Sequence, residues 1–400
     1  MAVPKKPKII FSSRYPPEFE LIPFPGILDM IKLLSKKYEI IYFCMNWNKP
    51  LNTELRRHIK VNNIPFSVDI TNSFDKWLKT ALYYIYLPFS LMKISKIKPD
   101  IILCRENFPF VPYLLSFLKI PVLVEIGDWW PSMILGKTKF GKKTADFIEN
   151  FEAGLWKKRK IISLTHTRIE TEQMIKRGIA KDKIKRVTLP MYGGIYSPYD
   201  AKKEKKTLGF NERDFIVSVH GIIHPSKGYD QILEWWKKLV KIHPDWKLLV
   251  IGGTIGENWC KDKIIELGLE KNTLMTGWIF DQNKLNKYLN VSDCLLVTRR
   301  NSPETWGNTP SSLTHSLMTG KPVLATGLPG ILEVIRDKEN GFVYKPDDYK
   351  SFKNSLEFIY KYPKQSKEIG KKGLKRVKEY FDSGKLYKEY LEIISNLLKN

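Results

Sequence analysis

The sequence predicts an α/β protein built from two doubly wound parallel-sheet domains that face a cleft. Three observations lead there. A chain of 400 residues exceeds what one hydrophobic core usually serves. Short β-branched runs alternate with longer amphipathic stretches through most of its length. A charged stretch without periodicity, SPYDAKKEKKTLGFNERD (197–214), divides the alternation into two similar series. The expected domains are 1–196 and 197–380, with a C-terminal helix over 381–400 packing back on the first.

In the first series PKIIFSS (7–13) reads as a buried strand. A proline-rich loop leads to a helix over 27–37, then the strand YEIIYFC (38–44) and a helix near 75–95. DIILCR (100–105) is a strand, 108–118 a helix, and PVLVEIG (121–127) a strand. A helix over 144–157 and the strand KIISLTH (160–166) complete the series. In the second, FIVSVHG (215–221), KLLVIGG (247–253), NTLMTGW (272–278), DCLLVTR (293–299) and KPVLAT (321–326) are strands. Helices are expected over 228–242, 256–267, 282–289 and 311–319, and two or three more from 348 onward. Both halves are therefore Rossmann-like, and such sheets bind ligands outside the carboxyl ends of their strands.

Composition narrows the functional classes. The four cysteines, Cys44, Cys104, Cys260 and Cys294, are far apart and mostly in apolar runs, which reads as buried small hydrophobes in a reducing cytosol. The N-terminus lacks a signal-peptide core. The longest apolar stretch, residues 81–94, is too short to span a bilayer and contains Pro88. Net charge is +25, with 33 basic against 18 acidic side chains in residues 1–200. That favours an anionic partner such as a membrane surface, although solvated lysines on helix faces would look similar. Tyr83, Tyr84, Tyr86 and Phe89 beside Lys93 and Lys96, and Trp129 and Trp130 ahead of Lys137–Lys143, suit an interfacial surface or a core helix with a basic end. Nucleic acid is not expected as a partner, since no recognition motif accompanies the charge. The six histidines are scattered, so no metal site is expected.

Three segments carry candidate chemistry. The strand ending at His220-Gly221 is followed by a short loop, and Lys227-Gly228 opens a helix whose free amides favour phosphate. A solvated lysine would read the same. Arg299-Arg300 ends another strand, and Glu304 stands in the next loop. Asn308, Thr309, Pro310, Ser311 and Ser312 then start a helix rich in N–H and O–H donors. Gly-Leu-Pro-Gly (327–330) is a tight turn that brings backbone close to a ligand, with Glu333 placed on the following helical turn.

These segments resemble the donor domain of glycosyltransferase family 4. The frame is Gly221 to Gly228, the turn Val250-Ile251-Gly252-Gly253, Glu304 to Gly320-Lys321-Pro322-Val323, and Pro329 to Glu333. VEIGDWWP (124–131) and residues 161–199 are similar to the family's acceptor domain and linker, so the resemblance covers roughly 7–380. It implies a GT-B fold and retaining, metal-independent transfer of a hexose from a nucleoside diphosphate sugar, with no other cofactor. The implied acceptor is a lipid-linked or surface glycan at the cytoplasmic membrane face.

By the same resemblance Lys227 binds the donor diphosphate and Gly26 lies near its phosphates. Matching Trp306-Gly307 to the family's Phe-Gly makes Glu304 the carboxylate that contacts the donor sugar. Three positions depart from the family pattern. Ile222 replaces an arginine, a loss that Arg299 or Arg300 is expected to compensate. His315 stands where a ribose-binding glutamate is usual, and its imidazole is expected to hydrogen-bond ribose hydroxyls. Gly127-Asp128 replaces a His-Asp pair and leaves Asp128 to orient acceptor or sugar. Two other readings remain at this stage: an inactive GT-B partner subunit of a glycosyltransferase complex, and a nucleic-acid-directed glycosyltransferase.

Overall fold

The computed structural model describes residues 6–20, 24–46, 53–67, 73–105, 109–126, 130–135, 138–191, 193–254 and 258–399. The chain forms two compact units, Met1–Gly193 with Phe381–Asn400, and Gly194–Tyr380.

The first unit runs β1 (Lys8–Ser12), α1 (Pro17–Glu20), α2 (Ile27–Leu34), β2 (Glu39–Asn46), α3 (Thr53–Arg56), β3 (Lys60–Ser67), α4 (Ser73–Ile97), β4 (Ile101–Cys104) and α5 (Val111–Leu115). It continues with β5 (Val122–Glu125), α6 (Trp130–Leu135), α7 (Lys139–Lys157), β6 (Ile161–Thr165), α8 (Arg168–Lys176) and β7 (Ile184–Arg186). The strands form one parallel sheet in the order β3-β2-β1-β4-β5-β6-β7. Every residue of β4 and β5 is buried, as expected of strands covered on both faces. The chain moves from β1 toward one edge, then returns through α4 to β4 and moves toward the other. Right-handed crossovers therefore place α2 and α3 on one face of the sheet and α4, α5, α7 and α8 on the opposite face.

The second unit runs α9 (Lys202–Thr207), β8 (Phe215–Ile222), α10 (Tyr229–Leu239), β9 (Trp246–Gly253), α11 (Trp259–Glu266), β10 (Thr273–Met275), α12 (Gln282–Asn290) and β11 (Cys294–Val297). Then follow α13 (Pro303–Trp306), α14 (Ser311–Met318), β12 (Val323–Thr326), α15 (Pro329–Leu332), β13 (Phe342–Tyr344), α16 (Tyr349–Lys361) and α17 (Pro363–Tyr380). Its sheet is also parallel, in the order β10-β9-β8-β11-β12-β13. Trp235, Trp236, Trp246 and Phe352 fill the core against β8 and β9. The last helix, α18 (Ser383–Lys399), returns to the first unit. Leu386, Tyr390 and Ile394, spaced four apart, share a core with Ile27, Met30 and Ile31 of α2.

The predicted alternation is present, with local differences. α7 starts at Lys139 rather than 144, because Thr138 caps it by accepting the Gly141 amide. β3, β7 and β13 were not foreseen. The stretch 197–214, read as irregular, contains α9. All four cysteines are buried and none forms a disulfide.

Candidate functional site

In the second unit the segments singled out from sequence lie at the carboxyl ends of β8, β11 and β12. The Tyr229 hydroxyl donates to the His220 carbonyl (3.0 Å) and ties the start of α10 to the end of β8. Gly221 has φ +116 and lies beside Gly252, where a side chain would collide with the Gly221 carbonyl. Residues Pro225–Lys227 make a 3₁₀ turn, and Gly228 caps α10 with φ +84. A Cβ on Gly228 would come within 2.8 Å of Thr298 Oγ1. The Lys227-Gly228 turn thus rests on the end of β11, beside Arg299 and Arg300.

The two arginines differ. Arg300 is paired with Asp230, on the first turn of α10. The Arg299 amide donates to Thr326 Oγ1 (3.1 Å) and its guanidinium to the Thr298 carbonyl (2.8 Å), which holds it at the β11–β12 junction. The charge of Arg300 is offset by Asp230, while the Arg299 guanidinium is held by a main-chain carbonyl.

Glu304 lies on the short helix α13, and its side chain is outside the described residues. Gly307 closes that helix. A Cβ on Gly330 would stand 2.6 Å from the Gly307 carbonyl and 2.8 Å from that of Asn308. Thr309 Oγ1 donates to the Gly330 carbonyl (3.2 Å), so this loop and the turn after β12 are nested. Pro310 is the N-cap of α14 rather than a helical residue, with Ser311 and Ser312 in the first turn. The amides of Ser311 and Ser312 precede the first intrahelical acceptors, as at any helix start.

Two expectations are corrected. His315 is only 4% exposed, with Nε2 buried, and its ring stacks on Tyr196 at 4.1 Å. Tyr196 covers one face of the ring, and Nε2 on its edge is closed to solvent. Glu333 is not on a helical turn but caps the end of α15, because Pro329 starts that helix earlier. Tyr380 of α17 donates to its carboxylate (3.4 Å).

Sequence reading missed His220. Its ring lies 5.9 Å from that of His315 and joins α14 to the end of β8. Burial, then the Arg299 guanidinium, push its pKa down to about 3, so it is neutral. Its place one residue before Gly221 was the available signal.

In the first unit Gly26 is the N-cap of α2 and donates to the Pro190 carbonyl (2.9 Å). Gly127 and Asp128 lie outside the described residues. At the carboxyl ends of β4 and β5, Arg105 and Glu125 form a buried ion pair that also receives the Tyr390 hydroxyl from α18. Beside them His166 shares a hydrogen bond with the Val187 carbonyl (3.2 Å). Burial first, then Arg105, hold its pKa down to about 4. Among the described residues no group of three His, Cys, Asp or Glu side chains is placed to hold a metal ion.

Residues 200–376 match the family model of glycosyl transferases group 1. The chain is 24% identical over 199 residues to the putative glycosyltransferase EpsD of Bacillus subtilis, covering 50% of each protein. It is 23% identical over 156 residues to the UDP-Gal:alpha-D-GlcNAc-diphosphoundecaprenol alpha-1,3-galactosyltransferase of Escherichia coli, covering 38% of each. The chain thus spans half or less of the length of these relatives. Among solved structures, Anabaena HepE in complex with UDP and glucose superimposes with a TM-score of 0.75 at 18% identity, over 98% of this chain and 100% of that one. With its two parallel-sheet α/β units, the protein has the GT-B fold, and its second unit is similar to the glycosyl transferases group 1 over residues 200–376.

Proposed function

We propose that this protein is a glycosyltransferase that takes a hexose from a nucleoside diphosphate sugar, with retention and without a metal, and delivers it to a lipid-linked or surface-glycan acceptor at the cytoplasmic membrane face. The carrying observation is the seating of the Lys227-Gly228 turn on the end of β11 beside Arg299. Lys227 supplies an ammonium, Arg299 a guanidinium, and Ser311 and Ser312 the amides and hydroxyls of a helix start. Donors fixed in advance stabilise charge as it develops on a leaving diphosphate. Glu304 is assigned the donor sugar and Asp128 the acceptor side. Gly26, Gly221, Gly307 and Gly330 give backbone close approach. The acceptor class rests on similarity to a capsular polysaccharide biosynthesis glycosyltransferase and a diphosphoundecaprenol galactosyltransferase.

The test is turnover. Purified protein is incubated with UDP, GDP and ADP sugars and a bacterial lipid-linked glycan extract. Release of the nucleoside diphosphate is followed, and the anomeric configuration of the product is read by NMR. Nucleoside diphosphate release with an α-linked product from an α-linked donor supports the reading. Wild-type protein that releases nothing from any donor argues for the inactive-subunit reading.

A further inference from the structure

We propose that the outer face of the helical layer formed by α4, α5 and α7 is a docking surface for an anionic lipid bilayer. The inference rests on the membrane-proximal acceptor proposed above and names the surface that meets the membrane.

The observation is an exposed aromatic stripe on α7. Phe140, Phe147 and Phe151 are 82%, 69% and 52% exposed. They are spaced at seven and four residues, so they share one side of the helix. The opposite side, Ala145, Glu149, Glu152, Ala153 and Trp156, is buried against the unit. The helix therefore has its inner face satisfied and carries a second apolar face outward. Phe147 and Phe151 stack at 6.2 Å, and Phe151 meets Phe110 at 6.4 Å.

α4 repeats the pattern independently. Its buried side holds Tyr83, Leu87, Ser90 and Ile94, while Ile85, Phe89 and Met92, on the opposite side, are each more than half exposed. Both helices lie on one face of the sheet by the handedness of their crossovers. Between them Tyr84 of α4 donates to the Pro109 carbonyl (2.9 Å) just before α5, and Phe117, following α5, is itself exposed. The outward stripes of α4 and α7 thus belong to one helical layer.

Charge selects the occupant. Exposed Lys93 and Lys96 border the α4 stripe, and exposed Lys142, Lys143 and Lys158 border that of α7. Arg159 lies over the Phe117 ring at 4.3 Å. The carboxylates of Glu149 and Glu152 are turned inward, which leaves Asp146 as the exposed acid of α7. Aromatic rings flanked by lysines fit an acyl–headgroup boundary, where apolar burial and attraction to anionic lipid act together. No helix among the described residues is long and apolar enough to cross a membrane.

The experiment is vesicle flotation of the full chain. Vesicles of phosphatidylcholine with about 30% phosphatidylglycerol are compared with phosphatidylcholine alone at low salt. The wild-type protein is expected to float with the anionic vesicles and not with the neutral ones. A variant carrying Phe140→Ser, Phe147→Ser and Phe151→Ser should bind at least about tenfold more weakly, with an unchanged melting temperature and unchanged UDP binding. Lys142→Glu with Lys143→Glu should lose binding similarly. Wild-type protein that stays in the aqueous fraction overturns the proposal, whatever the turnover assay shows. So does a folded triple-serine variant that floats like the wild type. A concentration-dependent dimer abolished by the serine variant, without flotation, would assign the face to a second copy of the chain.

Discussion

Arg300 pairs with Asp230, one helical turn from Lys227, and this pairing leads to different expectations for two adjacent arginines. Arg299→Ala should weaken nucleoside diphosphate binding about tenfold or more, as expected for loss of a charge-assisted contact. Arg300→Ala should cost binding much less. The Arg300–Asp230 pair is itself part exposed, so breaking it should change stability by no more than about 1 kcal/mol. Calorimetric titration and thermal melts of the two variants check both statements.

Gly330 is held by close approach of backbone. A methyl group there meets the carbonyls of Gly307 and Asn308 at under 3 Å. Gly330→Ala is expected to cost about 1–3 kcal/mol, as overpacking does, and to weaken nucleotide binding by displacing the loop before α14. Gly194→Ala is the comparison: its Cβ meets nothing within 4 Å, so only its φ of +73 resists. Urea denaturation of both variants should rank Gly330→Ala as the more damaging.

The buried Arg105–Glu125 pair, capped by Tyr390, links α18 to the carboxyl ends of β4 and β5. Arg105→Ala leaves Glu125 buried without its guanidinium and should destabilise by about 3–5 kcal/mol. Tyr390→Phe removes a hydrogen bond to a charged group and should cost about 1.5–3 kcal/mol. Chemical denaturation followed by tryptophan fluorescence measures both.

Glu152 gives a pH dependence of defined sign. Burial, opposed by the Phe110 amide, raises its pKa from 4.5 to about 8. Between those values the folded chain holds a proton that the unfolded chain has released. Stability from this group is present at low pH and is lost as pH rises from about 4.5 through 8. His220, depressed to about 3, acts oppositely: its contribution is lost as pH falls below about 6.5. In Glu152→Gln the alkaline loss should disappear. Melts at intervals from pH 6 to 8.5 should show the wild type falling relative to the variant by up to about 3 kcal/mol.

Much of this architecture was legible because its strands are buried on both faces. Runs such as IILC and VLVE have no other reading between amphipathic stretches. The edge strands were not: β3 contains Asn62, Asn63 and Pro65, and β7 pairs on one side only. Their strand character comes from partners distant in sequence. At the site, Lys227 and the Pro310 region could be picked from spacing, since turn and cap chemistry is local. The burial of His315 under Tyr196 could not, because residue 196 lies far from it in sequence. The Asp230 partner of Arg300 was hidden for the same reason.

The most direct measurement is a titration of UDP and GDP against UMP and GMP on the wild type and on Lys227→Ala. The wild type is expected to prefer a diphosphate over its monophosphate. Lys227→Ala should lose that preference, with about tenfold to a hundredfold weaker diphosphate binding, while still melting like the wild type. Equal binding of mono- and diphosphates by wild-type protein, or an unaltered preference in Lys227→Ala, would contradict a pyrophosphate grip at the end of β11.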